Sequence, residues 1–400
     1  MILYVSKNLT HLSGLSQAGQ DILIALLATE DRVKVVTETK CSLPQEVNNQ
    51  VLSSPQWIVF KEKIYPPKPI KRKLQIPIFL IQSIKKKYSE ITQAKRQQQL
   101  QKYDYSPIIV NGFTNHRFLE NVAPKIKGKK VIIIHESPRH FLPPNTYTVN
   151  DALQIMNQYD SLIFVSSRCR DEWSSLADLS NQRIYYIPNC CKEDEIHKIT
   201  LVEKAEIKQK LRLATDQFLA VCVASLQPRK NQKILLDVFP QLKTIMPNLK
   251  LFLIGPISLD SFWGKSLLEQ IKSKELSEHI EYLGTRDNAK EFIYAADVLL
   301  LPSLAEAMPC VILEAMALKT PVIASNVDGI SELIQNNHTG FLFSPKEPQS
   351  LVESFKKMAN DLDQTKKYTE YAYEKYWTQF SRLKQIERYA QFIANFTKNS

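Results

Sequence analysis

In the second half of the chain, short runs of apolar residues alternate with stretches of helical period. Phe218–Ser225, Lys250–Ile254, Ile280–Leu283, Val298–Leu301, Val322–Ala324 and Phe341–Phe343 are apolar at most successive positions, as strands buried on both faces are. Helical patterns fill the gaps, near 261–274, 289–294 and 330–334. The first half repeats the scheme with Ile2–Val5, Val33–Val36, Trp57–Phe60, Pro107–Val110, Val131–Ile134, Leu162–Val165 and Ile184–Ile187. It opens on a strand, a loop containing Gly14 and a helix over about Ser16–Ala28. Strand–helix alternation on this scale predicts an α/β chain with two doubly wound parallel sheets of Rossmann type. The expected units are residues 1–192, residues 193–376 and a terminal helix, 377–400. Aromatic residues of that last region, among them Tyr376, Trp377, Phe380, Tyr389 and Phe392, recur at mostly helical spacing and read as packing surface.

The chemistry gathers between Asp297 and Lys319. The strand Val298–Leu301 leads into a loop carrying Glu306, and Pro309 then opens a helix as its first residue, where a missing N–H costs nothing. Glu314 lies about a turn and a half inside. Free N–H groups at a helix start make an anion site. Two carboxylates beside such a site suit a ligand bearing both phosphates and hydroxyls, and a nucleotide-sugar is the obvious candidate. A second strand-to-helix turn, after Phe218–Ser225, carries Arg229 and Lys230, which fit a diphosphate. His135 follows directly on the strand 131–134, at the end where open α/β sheets hold ligands. A lone histidine is also commonly structural. There is no GxGxxG, so a dinucleotide oxidoreductase is disfavoured.

Glu306 and Glu314 reproduce the E-x7-E pattern of retaining glycosyltransferases with the two-Rossmann-domain (GT-B) fold, family 4. The surrounding segments resemble that family in the same order: PRKNQ at 228–232, FLIG at 252–255, YLG at 282–284, ADVLLLPS at 296–303, PVIASNVDGISELI at 321–334 and TGFLF at 339–343. The resemblance implies transfer of a sugar from a nucleoside diphosphate sugar to an acceptor hydroxyl with retention, in polysaccharide, glycolipid or other glycoconjugate synthesis. It assigns Glu306, Lys230 and His135 to the reacting end of the donor, with Lys230 as phosphate ligand and Glu306 on hydroxyls of the donor sugar. Glu314 is assigned to the ribose diol, with Arg229, Ser225, Thr285, Met308, Cys310 and Gly14 around the remainder of the donor. No cofactor or metal is expected. The chain departs from the family at Ser225, where a Gly-Arg pair is frequent, at Pro309, where glycine is frequent, and at Cys190–Cys191. Ser225, Pro309 and the sparse glycines motivate the alternative of a non-catalytic nucleotide-sugar-binding or partner subunit, and Cys190–Cys191 implies a stiffer hinge.

The chain has 52 basic and 41 acidic residues, a net charge of +11. Residues 61–100 hold eleven Lys or Arg against Glu62 and Glu90, interleaved with Ile76, Ile78, Phe79, Leu80, Ile81 and Ile84. Such a segment is either a solvated loop or a contact for an anionic membrane surface, and it is too poor in aromatics for nucleic acid. The acceptor expected is a glycan or lipid-linked molecule, and the location cytoplasmic or peripheral on the inner face of the membrane. Six cysteines form no CxxC pair, and Cys190–Cys191 reads as two packed thiols in a reducing compartment. MILYVSKNL is interrupted too soon for a signal peptide, and Asp361–Leu362–Asp363 lies in a polar helical stretch that reads as solvated rather than as a metal motif. Asp328–Gly329 reads as a tight turn and cap, and Glu136 and Arg139 as candidates to touch acceptor.

Overall fold

The computed structural model describes residues 1–6, 14–29, 32–37, 46–47, 50–51, 56–59, 97–98, 100–101, 105–123, 125–141, 148–257, 262–273 and 275–398. Most of the basic segment 61–100 lies outside these residues, as do the loop before Gly14 and the side chain surroundings of Gly14 itself.

Seven strands form the first sheet: β1 (Ile2–Val5), β2 (Val33–Thr37), β5 (Gln56–Val59), β6 (Tyr105–Asn111), β7 (Gly128–Ile134), β8 (Ser161–Phe164) and β9 (Arg183–Tyr186). A two-residue antiparallel pair, β3 (Glu46–Val47) and β4 (Gln50–Val51), stands apart. The order is β5-β2-β1-β6-β7-β8-β9, with parallel ladders throughout. The second sheet comprises β10 (Phe218–Val223), β11 (Leu249–Ile254), β12 (Ile280–Gly284), β13 (Val298–Leu301), β14 (Val322–Ser325) and β15 (Phe341–Phe343), ordered β12-β11-β10-β13-β14-β15 and also parallel. In each sheet the chain winds outward one way, returns to the middle and winds out the other way. This is the doubly wound Rossmann order. The strands follow the apolar runs because helices cover both faces. All four residues of β8 and of β13 are buried.

Three apolar clusters result. One fills the outer face of the first sheet, around Phe113, Phe141 and Trp173, and another the outer face of the second, around Phe239 and Phe355. The third is continuous from Tyr4, Ile133 and Ile163 to Val221, Leu301 and Ile312, so one core spans both sheets. The terminal helix Arg382–Lys398 crosses back to the helix Gly14–Thr29. Its Phe392 ring meets Tyr185 edge-on at 4.8 Å, and Gln385 donates to the Pro188 carbonyl. Arg382 reaches the buried Asp21 at 3.5 Å and Asp194 at 2.7 Å. Burial pushes the Asp21 carboxyl up to about 7 against the pull of Arg382. A five-residue π turn, Tyr376–Phe380, reorients the chain before this helix. Cys190 and Cys191 are buried as free thiols, and Cys191 Sγ donates to the Tyr376 hydroxyl at 3.0 Å.

Among the described residues, no helix is long and apolar enough to cross a membrane. Asp361 caps the helix Leu362–Lys375 by accepting from the Gln364 N–H at 2.8 Å, which is its structural task.

Candidate functional site

The carboxyl ends of both sheets open onto a cleft of about 770 Å³. Strand order reverses beside β10 and β13 in one sheet and beside β1 and β6 in the other, and each reversal leaves a crevice between diverging crossovers. The loops after β10 and β13 therefore face the same space. The first carries Arg229 and Lys230 in a 3-10 turn, Pro228–Lys230, that closes on Asn231 in the left-handed region at φ 52°. The second carries Glu306.

The two loops are tied to each other. Arg229 accepts at its carbonyl from the Leu304 N–H at 2.8 Å and donates through Nη1 to the Ala305 carbonyl at 2.7 Å. Lys230 Nζ is bonded directly to Glu306 Oε1, Ser303 Oγ donates to the same oxygen at 2.7 Å, and Arg229 Nη1 lies 3.5 Å from Oε2. Burial by itself would raise the Glu306 carboxyl, but the two cations outweigh it and hold it at about 2. Burial drives Lys230 the other way, below the usual lysine range, with Glu306 opposing. The result is a buried ionised cluster with one carboxylate and two cations. It carries a surplus positive charge toward the cleft, which suits an anion.

The helix following Glu306 runs Cys310–Ala317, one residue shorter at its start than the sequence suggested. Pro309 is extended at φ −73° and ψ 116° and occupies the cap rather than the first helical position. The reason is local: the chain must turn out of the buried Ala305–Met308 loop before it can wind. The N–H groups at Cys310 and Val311 begin the helix beside the cleft, and Met308, Cys310 and Glu314 all line it. Glu314 is met by Lys290 Nζ at 3.1 Å, which also reaches Glu195 at 2.9 Å. Burial would lower Lys290, yet these two carboxylates push it above the ordinary range. Lys290 is the second residue of an ordinary-looking helix, Ala289–Ala295, and nothing in its local sequence points to Glu314.

His135 faces the cleft from the end of β7. Its Nε2 contacts Asn111 Oδ1 at 2.7 Å, so Nε2 carries the proton and Nδ1 is the acceptor. Burial lowers it to about 4, so it is neutral at pH 7. Glu136 beside it is raised by burial to about 7, with the His135 N–H and Arg229 pulling the other way. Ser225 also lines the cleft. Its hydroxyl accepts from Gln227 Nε2 at 2.8 Å, and its carbonyl from Gln232 at 2.9 Å. Thr285 is exposed at the rim after β12, where Gly284 adopts φ +71°. Gly14 begins the helix Gly14–Thr29.

One reading changes. Asp328 is a turn residue, at φ 37°, but its carboxylate is buried and accepts from the Glu306 N–H at 3.0 Å and from Ser137 Oγ at 2.8 Å. Arg139, half exposed, also reaches that carboxylate at 3.3 Å and Glu172 at 3.4 Å. Both partners come from distant segments, which sequence spacing cannot connect. Among the described residues, no group of three or more His, Cys, Asp or Glu is placed to hold a metal ion.

Residues 203–375 match the family model "Glycosyl transferases group 1". The chain is 25% identical over 187 residues to N-acetyl-alpha-D-glucosaminyl L-malate synthase of Bacillus anthracis, covering 47% of this chain and 48% of that protein. It is 27% identical over 168 residues to UDP-Gal:alpha-D-GlcNAc-diphosphoundecaprenol alpha-1,3-galactosyltransferase of Escherichia coli, covering 40% and 41%. The chain thus spans about half the length of the curated relatives it matches. In structure it aligns with Anabaena HepE, solved in complex with UDP and glucose, at a TM-score of 0.74 and 20% identity over 98% of this chain and 99% of that one. The fold is GT-B, with two Rossmann-like domains facing each other across the cleft.

Proposed function

We propose that this chain, whose residues 203–375 carry the group 1 glycosyl transferase domain, moves a sugar from a nucleoside diphosphate sugar to an acceptor hydroxyl. The observation that carries this reading is the buried Lys230–Glu306–Arg229 cluster at the strand-order reversal, with Glu314 on the adjoining helix. Breaking a glycosidic bond to a diphosphate develops charge on the leaving oxygens, and fixed donors in a water-poor cleft stabilise it. Lys230, Arg229 and the N–H groups at Cys310 and Val311 are such donors, and they supply the charge without a divalent metal. Glu314 accepts from the ribose diol and Glu306 orients hydroxyls of the donor sugar. Neutral His135 contributes an uncharged polar contact at the sugar. Ser225, Thr285 and Met308 bound the remainder of the donor, and the family resemblance assigns Gly14 a place below it.

The reaction retains anomeric configuration, with the leaving diphosphate taking the acceptor proton. This is compatible with the first-domain groups described at the cleft: His135, lowered by burial to about 4, is a weak base, and Glu136 is spent in part on the His135 N–H. The donor tested first is a UDP-sugar, because HepE, of the same fold, was solved with UDP. The acceptor is a glycan or lipid-linked molecule at the inner membrane face, a reading supported by the basic segment 61–100 and by the diphosphoundecaprenol named for the E. coli relative.

The test is a thermal-shift and calorimetric panel of UDP, GDP and ADP with their sugars, in EDTA, on the wild type and Lys230→Ala. One diphosphate stabilising the wild type, with weaker binding in the variant, supports the reading. No binding by any of them, together with no donor turnover, would leave a non-catalytic partner subunit as the better account.

A further inference from the structure

One turn of the second domain, residues 328–332, is bound by three separate segments of the first. Asp328 accepts from Ser137 Oγ at 2.8 Å and faces Arg139 at 3.3 Å. Glu332 Oε1 accepts from Ser166 Oγ at 2.5 Å and from the Arg168 N–H at 2.6 Å, at the start of the helix Ser167–Leu176. Glu332 Oε2 accepts from the Tyr186 hydroxyl at 3.2 Å. Two carboxylates one helical turn apart thus grip the first domain at β7, β8 and β9.

The same turn grips the Glu306 loop from the other side. The Glu306 N–H donates to Asp328 Oδ2 at 3.0 Å, and the Gly329 N–H donates to the Glu306 carbonyl at 3.0 Å. Gly329 leaves no room for anything between them: a Cβ there would stand 1.5 Å from the Ala307 carbonyl oxygen and 2.8 Å from Ser166 Oγ. Lys375 Nζ fixes the turn from behind, on the Glu332 and Leu333 carbonyls. Asp328 Oδ2 is therefore shared between Ser137, in one domain, and the backbone of Glu306, in the other.

We infer that Asp328 and Glu332 form an interdomain clasp that sets Glu306 in register only while the first domain is docked, so that they act as positioning residues for glycosyl transfer. Neither lines the cleft; they act through the Glu306 loop. A nucleotide bound at Lys230, Arg229 and Glu314 needs the second domain alone, whereas placing Glu306 against the sugar needs the clasp. Nucleotide binding and turnover should then respond separately. The inference rests on the reading of the cleft given above.

The experiment compares the wild type with Asp328→Ala, Glu332→Ala and, from the opposite domain, Ser137→Ala and Tyr186→Phe, all in the full chain. Calorimetry with UDP, donor turnover and the radius of gyration by X-ray scattering are measured on each. The expected result for the two carboxylate variants is a UDP affinity within about twofold of wild type, kcat at least about thirtyfold lower and a larger radius of gyration. Ser137→Ala should repeat the kcat loss more weakly, and Ser137→Thr should restore it. Asp328→Ala combined with Ser137→Ala should be less than additive. An unchanged radius of gyration overturns the clasp, even if UDP proves not to be the nucleotide. Unchanged kcat, or equal losses of UDP binding, kcat and melting temperature, overturns the positioning role. Failure of wild-type UDP binding with the radius still increased in the variants faults the donor reading and leaves the clasp standing.

Discussion

Replacing Lys230 by methionine tests the charge balance of the site most directly. The side chain of Lys230 is 15% exposed and that of Glu306 8%, so their attraction is little screened by water. A carboxyl held at about 2 rather than 4.5 corresponds to about 3 kcal/mol of preference for the charged form. Lys230 is the largest favourable contributor, followed by Arg229. Methionine removes that contributor and leaves Arg229 at 3.5 Å and Ser303 at 2.7 Å to hold the charge. Breaking a buried pair costs about 3–5 kcal/mol, and the two surviving partners place this site at the lower end, near about 3 kcal/mol at pH 7.

The sign of the pH dependence follows. Glu306 has a depressed folded pKa, so its stabilisation is complete above about 4.5 and lost as pH falls toward about 2. The gap in stability between wild type and Lys230→Met should therefore be largest near pH 7 and shrink through pH 4.5 to 2. Urea denaturation at pH 7 and pH 3, with equal m-values, measures it, and donor turnover should fall by about 10²–10³-fold if Lys230 meets the leaving diphosphate. A gap of the same size at both pH values would refute the ion-pair account. Undiminished turnover would refute the placement of the diphosphate.

Lys290→Met should lower stability by about 3 kcal/mol, because Glu314 and Glu195 lose a shared cation, and Glu314→Gln in that background should recover more than about 1 kcal/mol in a double-mutant cycle read by urea denaturation. Asp21 has a raised folded pKa, so its burial is tolerated below about 4 and increasingly costly as pH rises to about 7; the stability of Asp21→Asn relative to wild type should climb across that window in melting curves. Gly329→Ala keeps an ordinary φ of −75° but drives a methyl group into the Ala307 carbonyl. It should cost about 1–3 kcal/mol by denaturation and lower kcat more than donor KM.

Much of this chain is written in local pattern. Apolar runs of four to six residues mark strands covered on both faces, and β13 was expected over the residues it occupies, Val298–Leu301. The alternation with helices also implied the winding, because a parallel crossover has in practice one hand. Lys230 and Glu306 lie in the loops after β10 and β13, and a doubly wound sheet brings the ends of these central strands together. The helix starts one residue after Pro309 rather than on it, because the path of a buried loop, rather than proline's own preference, decides where a helix starts.

What the tertiary structure alone decided is which charges meet. Lys290 and Glu314 are joined by the packing of two helices, and Asp328 and Ser137 are 191 residues apart. Periodicity reports which face of an element is buried, but it holds no distance between elements. A side chain such as Asp328 therefore reads as a turn residue in the sequence and becomes an interdomain contact only when the second sheet is laid against the first. The strands come from local burial; the register of the cleft comes from the long-range hydrogen bonds and ion pairs across it.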